Sequence, residues 1–438
     1  MSSETLGFIS LAALFLGICV GFPISFTLIF LGIVFGLIGF GTPVFYLMVL
    51  HAFQVMSEPL FAAVPLFLFM GYLLEQAGLM NRLFNGFRLM LGPIRGSLYI
   101  AVIFTATLFA AATGVVGASV TILGVMAGPV MEKSGYSVRL SAGSIAAGGT
   151  LGMLIPPSVM LVVMGPIVGV PITDLFAACV MPGLLLAGLY VSYALIRSYI
   201  NPALGPALPP EERAKSVGEM VREMFFGIIP LAFLILSVLG SILGGLATPT
   251  DAAAMGAFGA FILTVLYREF TFEGLKQAAY RTIITSSMVS ILVVGSNLYS
   301  AVFSRLGSAT MIAEGLLGLN FHPMVILLTL LGFIFVLGWP LEWVPIIIII
   351  VPIVLPLVKA LGIDVLWFCT LVAVCLQTAW LSPPVALSAY YIKGVLPSWE
   401  LSDIYAGMMQ FMVIQVIGLA FLLMFPQLAL WLPSVLFD

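Results

Sequence analysis

Charge is what this sequence has least of. Of 438 residues only 8% are Asp, Glu, Lys or Arg, 62% are hydrophobic, and the mean hydropathy is +1.24. A soluble globular chain carries about 25% charged residues, so this composition excludes a water-soluble fold and points to the lipid bilayer. Fifteen Lys and Arg against eighteen Asp and Glu leave a formal charge of −3. That supplies no positive field for a nucleic acid, and no such partner is expected. Histidine is almost missing, with only His51 and His322. The HExxH and HxxxxD patterns of an intramembrane protease or acyltransferase are therefore absent, and an activated nucleophile has no obvious base; we expect no enzyme and no cofactor. The four cysteines, Cys19, Cys179, Cys369 and Cys375, lie in apolar runs without CxxC spacing, which indicates packing rather than a disulfide framework or zinc site. No basic region opens the chain as in a signal peptide, so the apolar run from Leu6 reads as the first span.

What is present is apolar length. Uncharged intervals cover residues 5–57, 59–74, 96–131, 140–173, 175–196, 224–250, 252–267, 282–304, 315–341, 343–358, 365–392 and 404–436. A spanning helix takes about 20 residues, and several intervals are too long for one span and too short for two. Such lengths suit broken helices or re-entrant hairpins, which a bilayer admits where protein or a water-filled cavity satisfies the freed backbone groups. With 96–131 and 315–358 as hairpins, thirteen of the fifteen basic residues share one face and Arg305 and Lys359 lie on the other. The positive-inside rule makes the first face cytoplasmic, with both termini outside. The polar stretch 201–223, with Pro202, Pro206, Pro209 and Pro210, reads as a cytoplasmic linker.

The halves on either side of that linker repeat. Pro23 corresponds to Pro249, Gly71 to Gly295, Pro129 to Pro356, Gly135 to Gly362, Pro156-Pro157 to Pro383-Pro384 and Pro171 to Pro397, all at offsets of 224 to 227 residues. One such match means little in a chain with 44 Gly and 27 Pro, but six in order indicate a duplication. Residues 1–200 form the first repeat and 224–438 the second, each with five crossings and one hairpin. An odd number of crossings inverts the second copy, and inverted repeats with broken helices are the architecture of secondary transporters.

Four interruptions are the candidate site. The first half offers a hairpin tip with Thr113, Gly114, Gly117 and Ser119, and a break at Ile155, Pro156, Pro157 and Ser158; the second offers a tip from Gly338 to Glu342 and a break at Ser382, Pro383 and Pro384. A proline pair removes N–H donors and frees carbonyl oxygens, hard ligands for a small cation, while helix halves starting after a break aim N–H groups at an anion. Thr150 and Gln377, equivalent at 227, stand about two turns before the breaks and either face the site or pack. Glu342 is costly facing lipid and therefore faces protein or water, as a site residue or a cap. Asp251 reads as a first-turn acid. Trp339, Trp343 and Trp380 line a cavity or fill space. Residues 140–173 and 365–392, around both proline pairs, contain no Asp, Glu, His, Lys or Arg. A proton relay needs titratable groups, so the expected coupling ion is Na⁺, at Gly114, Pro156, Gly338, Pro383 and neighbouring carbonyls.

The segments ATLFAAATG (106–114), GPVMEKSGY (128–136), GTLGMLIPPS (149–158), GVPITDLF (169–176), GGLATPTDAAA (244–254), LPLVKALGID (355–364) and LSPPVALSAYYIKGV (381–395) resemble the large membrane subunit of tripartite ATP-independent periplasmic (TRAP) transporters, the DctM or SiaM type. The resemblance covers essentially the whole chain. It implies an all-α polytopic membrane protein of elevator type, with a scaffold (about 1–95 and 224–305) and a transport domain of hairpins and broken helices (about 96–170 and 315–395). It further implies sodium-driven import of a small organic anion across the bacterial inner membrane, where the charge distribution puts both termini on the periplasmic side. The implied partners are a small four-helix membrane subunit (DctQ or SiaQ type) and a periplasmic substrate-binding protein (DctP or SiaP type). At the first tip the family usually reads Ser-Gly-Ser-Ser, where this chain has Thr113-Gly114-Val115-Val116. At the second tip Glu342, Trp343 and Val344 stand where Asp, Pro and Thr are common.

Overall fold

A computed structural model of the chain describes residues 2–113, 116–213, 216–318, 321–341, 343–383 and 385–437, and every regular element among them is helical. Among the described residues, eight helices are long and apolar enough to cross a membrane. Their outer faces carry side chains such as Leu16, Phe233, Met255 and Ile284, 66% to 72% exposed, a surface for lipid rather than water. The interior differs in kind. Every residue of Leu140 to Thr150 and of Trp367 to Thr378 is buried, which explains why these helices show no polar stripe: a helix apolar all round is one surrounded by protein or lipid.

The helices repeat in order as well as the prolines do. Ser3–Val20 and Ile24–Phe40 answer to Ile229–Leu243 and Pro249–Leu266. The hairpin of Ser97–Thr113 and Val116–Lys133 answers to Pro323–Leu337 followed by helix over 343–360. The broken helix Val138–Thr150 and Val159–Val168 answers to Val365–Thr378 and Leu387–Val395, and Ile172–Ile200 to Leu401–Met424. One place departs from the pattern. Pro43–Ser57 and Ala63–Gln76 are separated by a 3-10 turn at Pro59, with the Glu58 carboxylate accepting from Leu60 N, whereas the second half runs a single 34-residue helix, Phe272–Arg305.

Two of the broadest seams between the halves run helix along helix. Leu401–Met424 packs along Val138–Thr150, and Pro249–Leu266 along Ala63–Gln76. Small residues set the first approach: a Cβ on Gly407 would stand 1.8 Å from the Arg139 carbonyl oxygen, so the backbones touch as small residues permit in membranes. The Arg139–Asp403 ion pair, 2.7 Å, closes the end of that seam.

The linker is more ordered than its composition suggests. Its last part belongs to a helix, Val217–Gly227. Its first part is pinned to the hairpin base, Gly96 N donating to Gly205 O at 2.9 Å, Leu208 N to Gly92 O at 3.0 Å and Ser137 N to Leu204 O at 3.0 Å. Polar composition signalled a connection but carried no record of these backbone pairings. Two short helices before the hairpins, Leu79–Leu91 and Ser308–Gly318, were also not expected.

Candidate functional site

The first break follows from its prolines. Val138–Thr150 tightens into a 3-10 turn, Leu151–Met153, and the chain is extended at Ser158 before Val159–Val168 begins. Ser158 Oγ donates to the Met153 carbonyl at 2.5 Å, so the side chain satisfies an oxygen that the interrupted helix leaves without its usual N–H. The second break is tied differently. Trp339 Nε1, at the second tip, donates to Ser382 Oγ at 2.8 Å, and a Cβ on Gly338 would lie 2.9 Å from that of Ala379. Tip and break therefore touch directly in the second half. The arm after this tip carries, just past Trp343–Pro345, a wide π-helical turn, Ile346–Ile350, a feature frequent at functional sites.

All four interruptions reach one cavity of about 430 Å³. The first half contributes Val116, Gly117 and Ala118 from its tip and Met153 and Val159 from its break; the second contributes Trp343 and Val344 from its tip and Trp380 from its break. The correspondence is positional. Val116 and Trp343, Gly117 and Val344, Met153 and Trp380 are each 227 residues apart, and all six line the same space. A smaller cavity of about 210 Å³, lined by Gly338, Trp339 and Ala379, adjoins it through Trp343 and Trp380.

The opposite wall comes from two helices that sequence reasoning had not placed at the site. Ala63–Gln76 presents Leu68, Tyr72 and Glu75, and Phe272–Arg305 presents Arg281, Thr285 and Met288. Tyr72 and Thr285 share a hydroxyl hydrogen bond of 2.9 Å. One turn away on both helices, Arg281 Nη1 donates to Glu75 Oε1 at 2.7 Å. Glu75 and Arg281 are the only charged residues among the described ones lining the cavity. The available signal was the spacing, i to i+3 for Tyr72 and Glu75 and i to i+4 for Arg281 and Thr285, which puts each pair on one helix face. Arg281 instead counted only toward orientation.

The remaining expectations divide. Gly117 lines the large cavity and Gly338 the small one. Ser382 and Ser158 serve the breaks as described. Ile155 packs where a Cβ on Gly183 would meet it at 2.5 Å; Pro156 and Pro157 are buried and Pro383 is exposed. Ser119 is buried behind the tip. Thr150 donates to the Ala147 carbonyl at 2.8 Å, and Gln377 accepts from Gln415 Nε2 on the Leu401–Met424 helix at 2.9 Å; neither lines the two cavities. Gly114, Glu342, Pro384 and the Thr113 side chain lie outside the described residues. Asp251 accepts from the Thr248 hydroxyl at 2.6 Å in the first turn of its helix, and His322 caps Pro323–Leu337 by accepting from Met324 N at 3.2 Å. His51 lines a third cavity of about 330 Å³ with Gln54, Glu58, Asn297 and Ser300.

Comparison with known proteins follows this geometry. The family model described as the tripartite ATP-independent periplasmic transporter, DctM component, matches residues 11–428. The sialic acid TRAP transporter large permease protein SiaM of Vibrio cholerae is 29% identical over 422 residues, 95% of each chain. The C4-dicarboxylate TRAP transporter large permease protein DctM of Rhodobacter capsulatus is 28% identical, covering 85% of this chain and 87% of its own. Among solved structures, the Alcanivorax borkumensis YdaH transporter shares the fold with a TM-score of 0.62 at 16% identity, over 90% of this chain and 88% of that one.

Proposed function

The chain belongs to the DctM family of tripartite ATP-independent periplasmic transporters, the large permease subunit of a secondary transporter for organic acids and not an enzyme, and from that premise we propose that it drives import of a small carboxylate with Na⁺. The site is the cavity where the interruptions meet. The observation that carries this reading is the set of three residue pairs at offset 227 lining one space, since a duplicated backbone feature gives two equivalent cation sites and one shared substrate site.

Each repeat supplies one Na⁺ site from its tip and break, through carbonyl oxygens around Gly114 and Pro156 in the first and Gly338 and Pro383 in the second. These ligands do not titrate near neutral pH. The segments around both breaks lack Asp, Glu, His, Lys and Arg, which supports sodium over protons. Two Na⁺ entering with one monoanion move one net charge, worth about 2.3 kcal/mol per 100 mV. A tenfold sodium gradient adds about 1.4 kcal/mol per ion, or roughly 5 kcal/mol in all, enough for several-thousand-fold accumulation.

The moving body comprises both hairpins and both broken helices; the fixed one holds Ala63–Gln76 and Phe272–Arg305, which form the wall bearing Tyr72, Glu75, Arg281 and Thr285. An elevator needs this frame held still, the task of the small four-helix subunit, and a periplasmic binding protein to deliver substrate. The orientation that follows from the basic residues puts both termini on the periplasmic side of the bacterial inner membrane. The test is uptake by the complete complex in proteoliposomes. Uptake vanishes when external Na⁺ is replaced by K⁺ at fixed pH and voltage, and its sodium dependence has a Hill slope above one. Uptake undiminished in K⁺ but lost when a pH gradient is dissipated would assign the coupling to protons.

A further inference from the structure

We propose that Arg281 binds the substrate's carboxylate, that Glu75 competes for the same guanidinium, and that the cavity is thereby selective for amphipathic monocarboxylates over dicarboxylates. This rests on the permease reading and names its substrate class. A guanidinium carries five N–H donors in a fixed fork, and the contact to Glu75 is made through Nη1. The Arg281 side chain is half exposed while that of Glu75 is 20% exposed, so the guanidinium is the member of the pair that meets an incoming anion.

Glu75 sets the limit. Its second oxygen, Oε2, is buried without a hydrogen-bond partner, so its negative charge is incompletely neutralised beside the space the substrate enters. A single carboxylate finds Arg281. A second would find no further cation among the described lining residues and would face Glu75, and an uncompensated charge is expensive to desolvate. The rest of the wall, with Leu68, Met153, Met288, Trp343 and Trp380, suits an apolar or aromatic body, and 430 Å³ lies in the range of small-molecule pockets. As the substrate leaves, Glu75 reclaims the donors, which keeps Arg281 paired throughout.

The experiment titrates the tryptophan fluorescence of the permease, purified with its small membrane subunit in nanodiscs, using phenylacetate, its neutral isostere phenylacetamide, and succinate. Wild type binds phenylacetate about tenfold or more tighter than either of the others. Glu75→Gln tightens phenylacetate several-fold and admits succinate to within about threefold of it, because the competing charge is gone. Arg281→Gln abolishes the preference for acid over amide and Arg281→Lys retains part of it. The double variant Glu75→Gln/Arg281→Gln leaves no unpaired buried charge to unfold the protein, and it binds acid and amide alike. Retention of the acid preference in that double variant, or wild type binding the amide as tightly as the acid, would overturn the assignment of Arg281. Succinate bound by wild type as tightly as phenylacetate would overturn the selectivity and leave the permease reading standing, since sodium-driven uptake is tested separately.

Discussion

At equivalent places the two halves put different chemistry on the same backbone. Val116 and Met153 face the cavity from the first half, and 227 residues on, Trp343 and Trp380 face it from the second. The first break closes on itself, Ser158 to Met153, while the second is tied to its tip by Trp339 and Ser382. Duplication thus preserved the interruptions, where the proposed cation ligands come from backbone, and left side chains free to diverge, where the proposed recognition comes from shape. In the proposed transport reading, the second half, with its aromatic walls, is the side that holds the substrate body.

The largest effect is expected at Gly338, whose Cβ would meet Ala379 at 2.9 Å with the Phe335 carbonyl oxygen at 3.3 Å. Gly338→Val should cost about 3 kcal/mol by overpacking and abolish uptake, seen as a lower melting temperature and no transport. Next is Gln377, which tests packing against site. Gln377→Leu leaves the amide of Gln415 only its long 3.5 Å contact to the Val374 carbonyl and should cost about 2 kcal/mol, whereas Gln377→Leu/Gln415→Leu restores stability, as when both partners of a buried bond are replaced. Retained uptake in the double variant confirms a packing role; lost uptake with normal melting returns Gln377 to the site. Trp339→Phe removes one hydrogen bond to Ser382 and should cost about 1 kcal/mol, with Ser382→Ala no worse in combination. Smallest is Gly117→Ala: its Cβ would meet the Tyr391 ring at 2.9 Å, a side chain that can swing, so the loss should stay under about 1 kcal/mol. If Gly117→Ala proved as damaging as Gly338→Val, the contrast between a yielding first tip and a rigid second one would be wrong.

The sequence made the repeat legible because Pro and Gly keep their places where backbone geometry demands them: Pro156-Pro157 and Pro383 do mark the breaks, and Gly117 and Gly338 do border the cavities. Thr150 and Gln377 were ambiguous because a helix buried on every side has no period to tell cavity from packing, and both proved to bond elsewhere. The pair Glu75 and Arg281 was missed for the opposite reason. Glu75 falls just past the apolar interval 59–74 and Arg281 just before 282–304, so both read as membrane-edge charges, and only the tertiary fold brings residues 206 apart to 2.7 Å.

The central claim is that tips and breaks of both halves form one site within one moving body. A disulfide between halves tests it most directly. A Cβ on Gly124, in the first hairpin, would lie 2.8 Å from Val395 Cγ2, beyond the second break, within reach of the Cβ separation of about 4 Å that a disulfide needs. The account predicts that Gly124→Cys/Val395→Cys cross-links on oxidation within one chain and that the oxidised complex still carries out sodium-driven uptake at close to the reduced rate. Efficient cross-linking that stops uptake, reversed by reductant, would show the two halves moving against each other and would contradict it.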